Sequence, residues 1–153
     1  MAPLVVMVVG WLGFRLLGGM GMVSAGSSWS GALRYALAAM FMFTAMSHFA
    51  PRTRPDLVRM VPPVLPKPAL LVTITGILEL LGAIGLLLPP FVGIAALALA
   101  LLLMAMFPAN IHAAHNGVTI AGREATPLAI RFPLQLFWIA SLLWIAAQHA
   151  PSA

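Results

Sequence analysis

The chain has 153 residues, of which 62% are hydrophobic and 7% charged, and its mean hydropathy is +1.05. A soluble domain needs a polar surface that this composition does not supply, so we expect an integral membrane protein in contact with the lipid bilayer. The net charge is +5, but most basic residues fall between apolar segments, which indicates membrane topology and not nucleic-acid binding. The sequence contains no cysteine, which excludes thiol redox chemistry and thiolate metal sites.

Five apolar segments are long enough to cross a hydrocarbon layer of about 30 Å as helices. They lie at about 3–23, 32–49, 68–88, 91–112 and 128–148. Lipid offers no partner to an open sheet edge, so the predicted fold is an all-α helical bundle in one transmembrane domain. The first segment resembles a signal peptide only loosely, because no basic residue precedes it, and we expect it to be retained.

The connections between these segments predict the orientation of the chain. Residues 51–68 carry six prolines together with Arg52, Arg54, Arg59 and Lys67, and a stretch at 56–61 could lie along the membrane interface. Residues 116–127 contain turn signals that suggest a small hairpin. Excess positive charge marks cytoplasmic loops, so we expect a multi-pass membrane protein with a cytoplasmic N-terminus and an external C-terminus.

Glu79 lies in the middle of the third apolar segment, where an ionised carboxylate is costly. It is either a protonated structural residue or a site that handles a proton or a ligand. Helical spacing places Thr75 and Gly82 on its face. Arg15 in the first segment would lie at a similar depth and is a candidate ion-pair partner, unless a peripheral first helix leaves its guanidinium to backbone carbonyls.

Four further polar residues lie toward the same end of the predicted bundle: His48, Asn110, Arg131 and Gln135. If their faces converge, they form with Glu79 and Thr75 a polar pocket suited to a hydrophobic molecule that carries one or two oxygens. Each of them alone could instead cap a helix end. A metal site that combines His48 with His112 and His115 is disfavoured, because no acidic or thiolate ligand accompanies them.

Five short motifs in order resemble the DoxX-like family of small bacterial membrane proteins. They lie at residues 47–49, 60–66, 75–82, 107–111 and 131–135. The resemblance implies a four-helix core, to which this chain adds an N-terminal helix, and recurrent polar positions at His48, Glu79, Asn110, Arg131 and Gln135. It also implies diverse associations: a subunit of quinone-linked thiosulfate oxidation, partners in oxidative-stress complexes, and assembly factors.

The leading functional hypothesis is a non-enzymatic membrane protein whose pocket binds a hydrophobic small molecule or supports a membrane partner. The second hypothesis is a membrane subunit of a quinone-linked oxidoreductase complex, which would take electrons from a soluble oxidoreductase partner docked on the basic loop. A transporter is disfavoured, because five short helices leave little room for repeat-based rocking. No cofactor other than a quinone is expected, and a homo-oligomer is left open.

Overall fold

The computed structural model describes residues 2–124 and 126–149, with the side chains of all but residues 25, 120, 123 and 124. The predicted all-α fold is confirmed: the described chain is a helical bundle with one two-stranded hairpin. Its helices are α1 (Ala2–Gly19), α2 (Trp29–Phe49), α3 (Arg54–Met60), α4 (Pro68–Leu87), α5 (Val92–His115) and α6 (Leu128–Gln148).

Four helices are long and apolar enough to cross a membrane: α1, α4, α5 with the short turn before it, and α6. The protein is therefore a multi-pass membrane protein whose apolar helices contact lipid. The remaining long helix, α2, has 21 residues but is less apolar, since it carries Arg34 and His48. A fifth crossing by α2 stays a prediction.

The order of packing explains why α2 tolerates polar residues. Helix α2 packs between α1 and α4, α4 between α2 and α5, and α5 between α4 and α6. Nine residues of α2 are buried, whereas α1 buries only Met7. Helix α2 is thus shielded by its neighbours, and α1 lies at the periphery with most of its apolar side chains exposed.

Two glycines let α4 approach its neighbours closely. A Cβ on Gly76 would stand 2.6 Å from Cβ of His48 in α2, and a Cβ on Gly82 would stand 2.5 Å from the Leu99 side chain in α5. Either position would clash with any larger residue, as expected at tight helix crossings in membranes. Gly82 therefore packs against α5, and it stays near the Thr75 face of α4 because seven residues make almost two full helical turns.

Helix α1 ends four residues earlier than predicted. Gly21 has φ +74°, the Met22 amide donates to the Leu17 carbonyl, and the Gly21 amide donates to the Gly18 carbonyl. This is a Schellman motif, which needs a glycine in the left-handed conformation. A short 3₁₀ turn then leads to Ser28, whose hydroxyl accepts from the Gly31 amide and caps α2.

The connections contain the predicted hairpin and a short helix, and the position of that helix along the membrane interface stays a prediction. The stretch at 56–61 falls largely within α3, and the hairpin pairs β1 (Thr119–Ile120) with β2 (Arg123–Glu124). Its two-residue turn has positive φ at Ala121 and Gly122, as a type I′ turn requires. The Asp56 carboxylate accepts from the Ala121 amide at 2.7 Å and from Arg59, so α3 holds the hairpin in place.

Candidate functional site

His48 lies in the last turn of α2 and is buried over Gly76 of α4. Its Nδ1 stands 2.9 Å from the Val72 carbonyl and 3.3 Å from the Thr75 hydroxyl. A carbonyl oxygen can only accept, so Nδ1 carries a hydrogen that it donates to Val72. The ring is therefore oriented by α4, with Nε2 on its opposite side.

Glu79 is equally buried, with 4% of its surface exposed. It follows Thr75 by one helical turn, so both side chains face α2. Its Oε2 lies 3.7 Å from Nε2 of His48 and accepts no hydrogen bond from any described residue. The Thr44 hydroxyl also neighbours the carboxyl group, although it donates to the Phe41 carbonyl.

The orientation of His48 limits how protons are shared with Glu79. Because Nδ1 already holds one hydrogen, Nε2 of a neutral ring is an acceptor that would face an acceptor oxygen of an ionised Glu79. That arrangement is unfavourable in a buried setting, and it is relieved when one of the two atoms, Nε2 or Oε2, carries an additional proton. At 3.7 Å the two atoms are beyond hydrogen-bond distance, so each can still bind a further polar group.

Arg54 supports this site, and sequence reasoning assigned it only to the basic loop. Its guanidinium donates to the His48 carbonyl at 2.9 Å, to the Thr73 hydroxyl at 2.9 Å and to the Ala69 carbonyl at 3.2 Å. It thereby joins the end of α2 to the start of α4. The sequence contained a signal for this role of Arg54. The last carbonyls of a helix attract a cation, and Arg54 follows the end of α2 by five residues.

A second polar cluster joins α5 to α6. Asn110 donates to the side-chain oxygen of Gln135 at 3.1 Å and accepts from Arg131 at 2.8 Å. Gln135, which is buried, donates to the Leu103 carbonyl. That carbonyl lies in α5 beside the Met104 carbonyl, which the missing N–H of Pro108 leaves without its helical donor. Each of these three side chains therefore has a partner.

The predicted residues thus form two clusters and not one. Within 2–124 and 126–149, no hydrogen bond or ion pair links the His48 group to the Asn110 group. The chain separates them, because His48 and Glu79 lie at the α2–α4 contact and Asn110 and Gln135 at the α5–α6 contact. The prediction of one convergent pocket is not supported by these contacts.

Arg15 does not pair with Glu79. Its guanidinium donates to the carbonyls of Gly26 and Ser27, each at 2.8 Å, and lies 4.6 Å from the centre of the Trp29 ring. The reason is that α1 ends at Gly19, which brings Arg15 beside the start of α2, whereas His48 lies at the other end of α2. The contacts of Arg15 match the alternative expectation, in which the first helix is peripheral and its arginine binds backbone carbonyls.

Histidine 112 takes part in a structural contact and not in a cluster of metal ligands. Its Nδ1 stands 3.1 Å from the Met60 carbonyl, which ties α5 to α3. Among the residues that the structure describes, no group of three or more His, Asp or Glu side chains could hold a metal ion.

Comparison with known proteins gives a family for most of the chain. Residues 37–146 match the family described as Domain of unknown function (DUF8561). The chain belongs to this family. The match begins within α2 and includes all six residues predicted to bind a ligand, whereas α1 and Arg15 precede it. No curated protein and no solved structure matches the chain.

Proposed function

We propose that this DUF8561 protein binds a hydrophobic small molecule through the buried pair of His48 and Glu79. The observation that carries the proposal is the Glu79 carboxylate, which is buried between α2 and α4 with one oxygen unpartnered among the described residues. An unpaired buried acceptor costs about 1–3 kcal/mol, and more if it is charged. A ligand that supplies the missing hydrogen bond regains that free energy on binding.

The surroundings favour a ligand with an apolar body and a small polar end. A hydroxyl could donate to Oε2 of Glu79, and a carbonyl oxygen could accept from a protonated Nε2 of His48. Phe49 packs against Gly76 with 45% of its surface exposed, so an aromatic ring stands at the outer edge of the α2–α4 contact. Apolar sites with few polar groups are typical of such ligands.

The second cluster has a different role in this proposal. Asn110, Arg131 and Gln135 satisfy one another and the Leu103 carbonyl, so they would lose hydrogen bonds if they turned to a ligand. We therefore assign them to the association of α5 with α6, where a fully connected polar network stabilises helix packing. The ligand site then consists of His48, Thr75 and Glu79.

A quinone-linked subunit is the second candidate, and one observation favours it. The orientation of His48 favours an additional proton on either Nε2 of His48 or Oε2 of Glu79. The reduction of a quinone takes up protons, and this pair could supply one. The basic loop has fewer unpaired positive charges for binding a soluble partner than expected. Arg54 is directed inward to the His48 carbonyl, and Arg59 binds Asp56. Arg52 and Lys67 remain exposed.

The relationship to DoxX-like proteins is also a proposal. It is supported by the five motifs that follow one another in order along the chain. From the positive loops, and with five crossings, we also propose that the N-terminus lies in the cytoplasm and the C-terminus outside the inner membrane of a bacterial cell. An experimental structure whose α2, α4, α5 and α6 superpose on a DoxX-like protein would support the relationship, and a different helix order would refute it.

Ligand retention tests the main proposal. Protein solubilised in mild detergent is expected to release a defined hydrophobic compound on solvent extraction, as detected by mass spectrometry. Glu79→Gln should lose it, whereas Asp56→Asn, which changes a carboxylate of the connecting helix α3, should keep it. Retention by the Glu79→Gln protein, with its melting temperature unchanged, would refute the ligand site. A quinone among the released compounds would favour the second candidate, and its absence would count against it.

A further inference from the structure

A second, polar site lies at the opposite end of α2 from His48. A cavity of about 350 Å³ opens between the turn before α2 and the end of α6. All but one of its lining residues are polar: Ser24, Ser28, Ser30, Gly31, Arg34, Gln148 and His149. By contrast, a cavity of about 690 Å³ between α4 and α5 is lined by apolar residues and glycine. All seven of the residues that line the polar cavity lie outside residues 37–146, so the family match does not cover it.

Arg34 gives this cavity a positive charge that has no acidic partner among the described residues, although the guanidinium lies 4.9 Å from the centre of the Tyr35 ring. Its guanidinium makes no hydrogen bond or ion pair with any described residue, and its Nε is buried without an acceptor. The sequence has only three acidic residues. Asp56 binds Arg59 and Glu79 faces His48, while Glu124 lies on the hairpin before α6, about 30 Å of helix from the cavity.

The other lining groups complement an anion. Serine hydroxyls and the Gln148 amide can donate hydrogen bonds. The Nδ1 of His149 donates to the Ile145 carbonyl at 2.9 Å, which leaves Nε2 for other contacts. Planar guanidinium groups bind phosphate oxygens in pairs.

The position of the cavity indicates where such an anion would come from. Arg34 lies five residues into α2, about 8 Å along its axis, and Gln148 is the last residue of α6. Trp29 at the start of α2 is 56% exposed, and Trp11 donates to its carbonyl. Tryptophan at helix ends marks the level of lipid head groups.

We propose that the cavity between the start of α2 and the end of α6 binds a phosphate group through Arg34. The group can belong to a phospholipid head group or to a free phosphate, and the same oxygens would be recognised in both. Arg15 would act as a positioning residue, because it holds the carbonyls of Gly26 and Ser27 in the turn that forms one wall.

Two binding measurements on the full chain distinguish these sources. In the first, inorganic phosphate is titrated into protein held in a maltoside detergent, which contains no phosphate, and the melting temperature is followed. In the second, phosphatidylglycerol is added to detergent-solubilised protein, and bound lipid is counted by native mass spectrometry. Stabilisation by phosphate assigns a soluble ligand, and selective retention of phosphatidylglycerol alone assigns the lipid head group.

Arg34→Gln should weaken whichever binding is found by about tenfold, since charge-assisted hydrogen bonds of the guanidinium are lost. Arg52→Gln is the matched control, because it removes an equal charge from the exposed loop at the other end of the bundle and should leave binding within about twofold. If Arg34→Gln does not fold, the double change of Ser24→Ala and His149→Gln replaces it, with a smaller loss expected. Binding of neither probe by the unaltered protein, or equal losses in the two arginine variants, would overturn the proposal.

Discussion

Replacing Gly76 with alanine should destabilise the protein, although alanine is the better helix former. The added Cβ would lie 2.6 Å from Cβ of His48, whereas ordinary contact begins at 3.4 Å. The atom it meets is fixed to the backbone of α2, so relief requires α2 and α4 to separate by about 0.8 Å. Overpacking of this kind costs about 1–3 kcal/mol, against a gain of about 1 kcal/mol from helix propensity.

Because the clash is between two Cβ atoms fixed to their backbones, the cost lies toward the upper end of that range. The net loss of up to about 2 kcal/mol corresponds to a fall in melting temperature of up to about 6 °C for a chain of this length. Gly13→Ala is the matched control, because Gly13 lies within α1 and a Cβ there would meet nothing within 4 Å. That variant should melt at or slightly above the temperature of the unaltered protein. Thermal unfolding in one detergent would compare all three proteins. A Gly76→Ala protein that melts no lower than the unaltered one would refute the close packing of His48 on α4.

Three further changes test other contacts. Asn110→Leu should lower the melting temperature by several degrees, because it leaves Arg131 without its acceptor at a cost of about 1–3 kcal/mol; an unchanged value would exclude a structural role for that cluster. Arg15→Leu should loosen the turn between α1 and α2, measured as faster proteolysis there, yet leave ligand retention intact, since Arg15 does not contact Glu79. Asp56 has a pKa below its ordinary value of 3.8 because its carboxylate accepts from the Ala121 amide, with Arg59 adding to the effect. The stabilisation from Asp56 is therefore complete above about pH 4 and is lost as pH falls through the lower folded-state pKa, so Asp56→Asn should melt lower near neutral pH and converge with the unaltered protein in acid.

Helix positions could be predicted where local chemistry decides them. The start of α4 at Pro68 and both ends of α6 match the prediction, since proline suits the first turn of a helix and apolar length sets a span. The end of α1 could not be placed from hydropathy, because Met20 and Met22 are as apolar as the helix before them. Gly21 in the left-handed conformation decided it.

The positions of the polar residues along their helices were predictable, but the pairing of these residues was not. Depth along a helix can be counted from the sequence, and this made Arg15 a reasonable partner for Glu79. The depth of a residue does not show which helices are neighbours. Helix α2 packs between α1 and α4, and Glu79 therefore faces His48 of α2 instead of Arg15 of α1. The same uncertainty hid the separation of Asn110 and Gln135 into their own cluster.

A double-mutant cycle on ligand affinity tests the central claim, that His48 and Glu79 act together on one bound molecule. The compound extracted from the unaltered protein would be titrated into His48→Gln, Glu79→Gln and the double variant, each first confirmed to be folded. Groups that bind one ligand together should show non-additive losses, with the double variant little weaker than either single one. Fully additive losses, or affinity that survives in the double variant, would contradict a shared site.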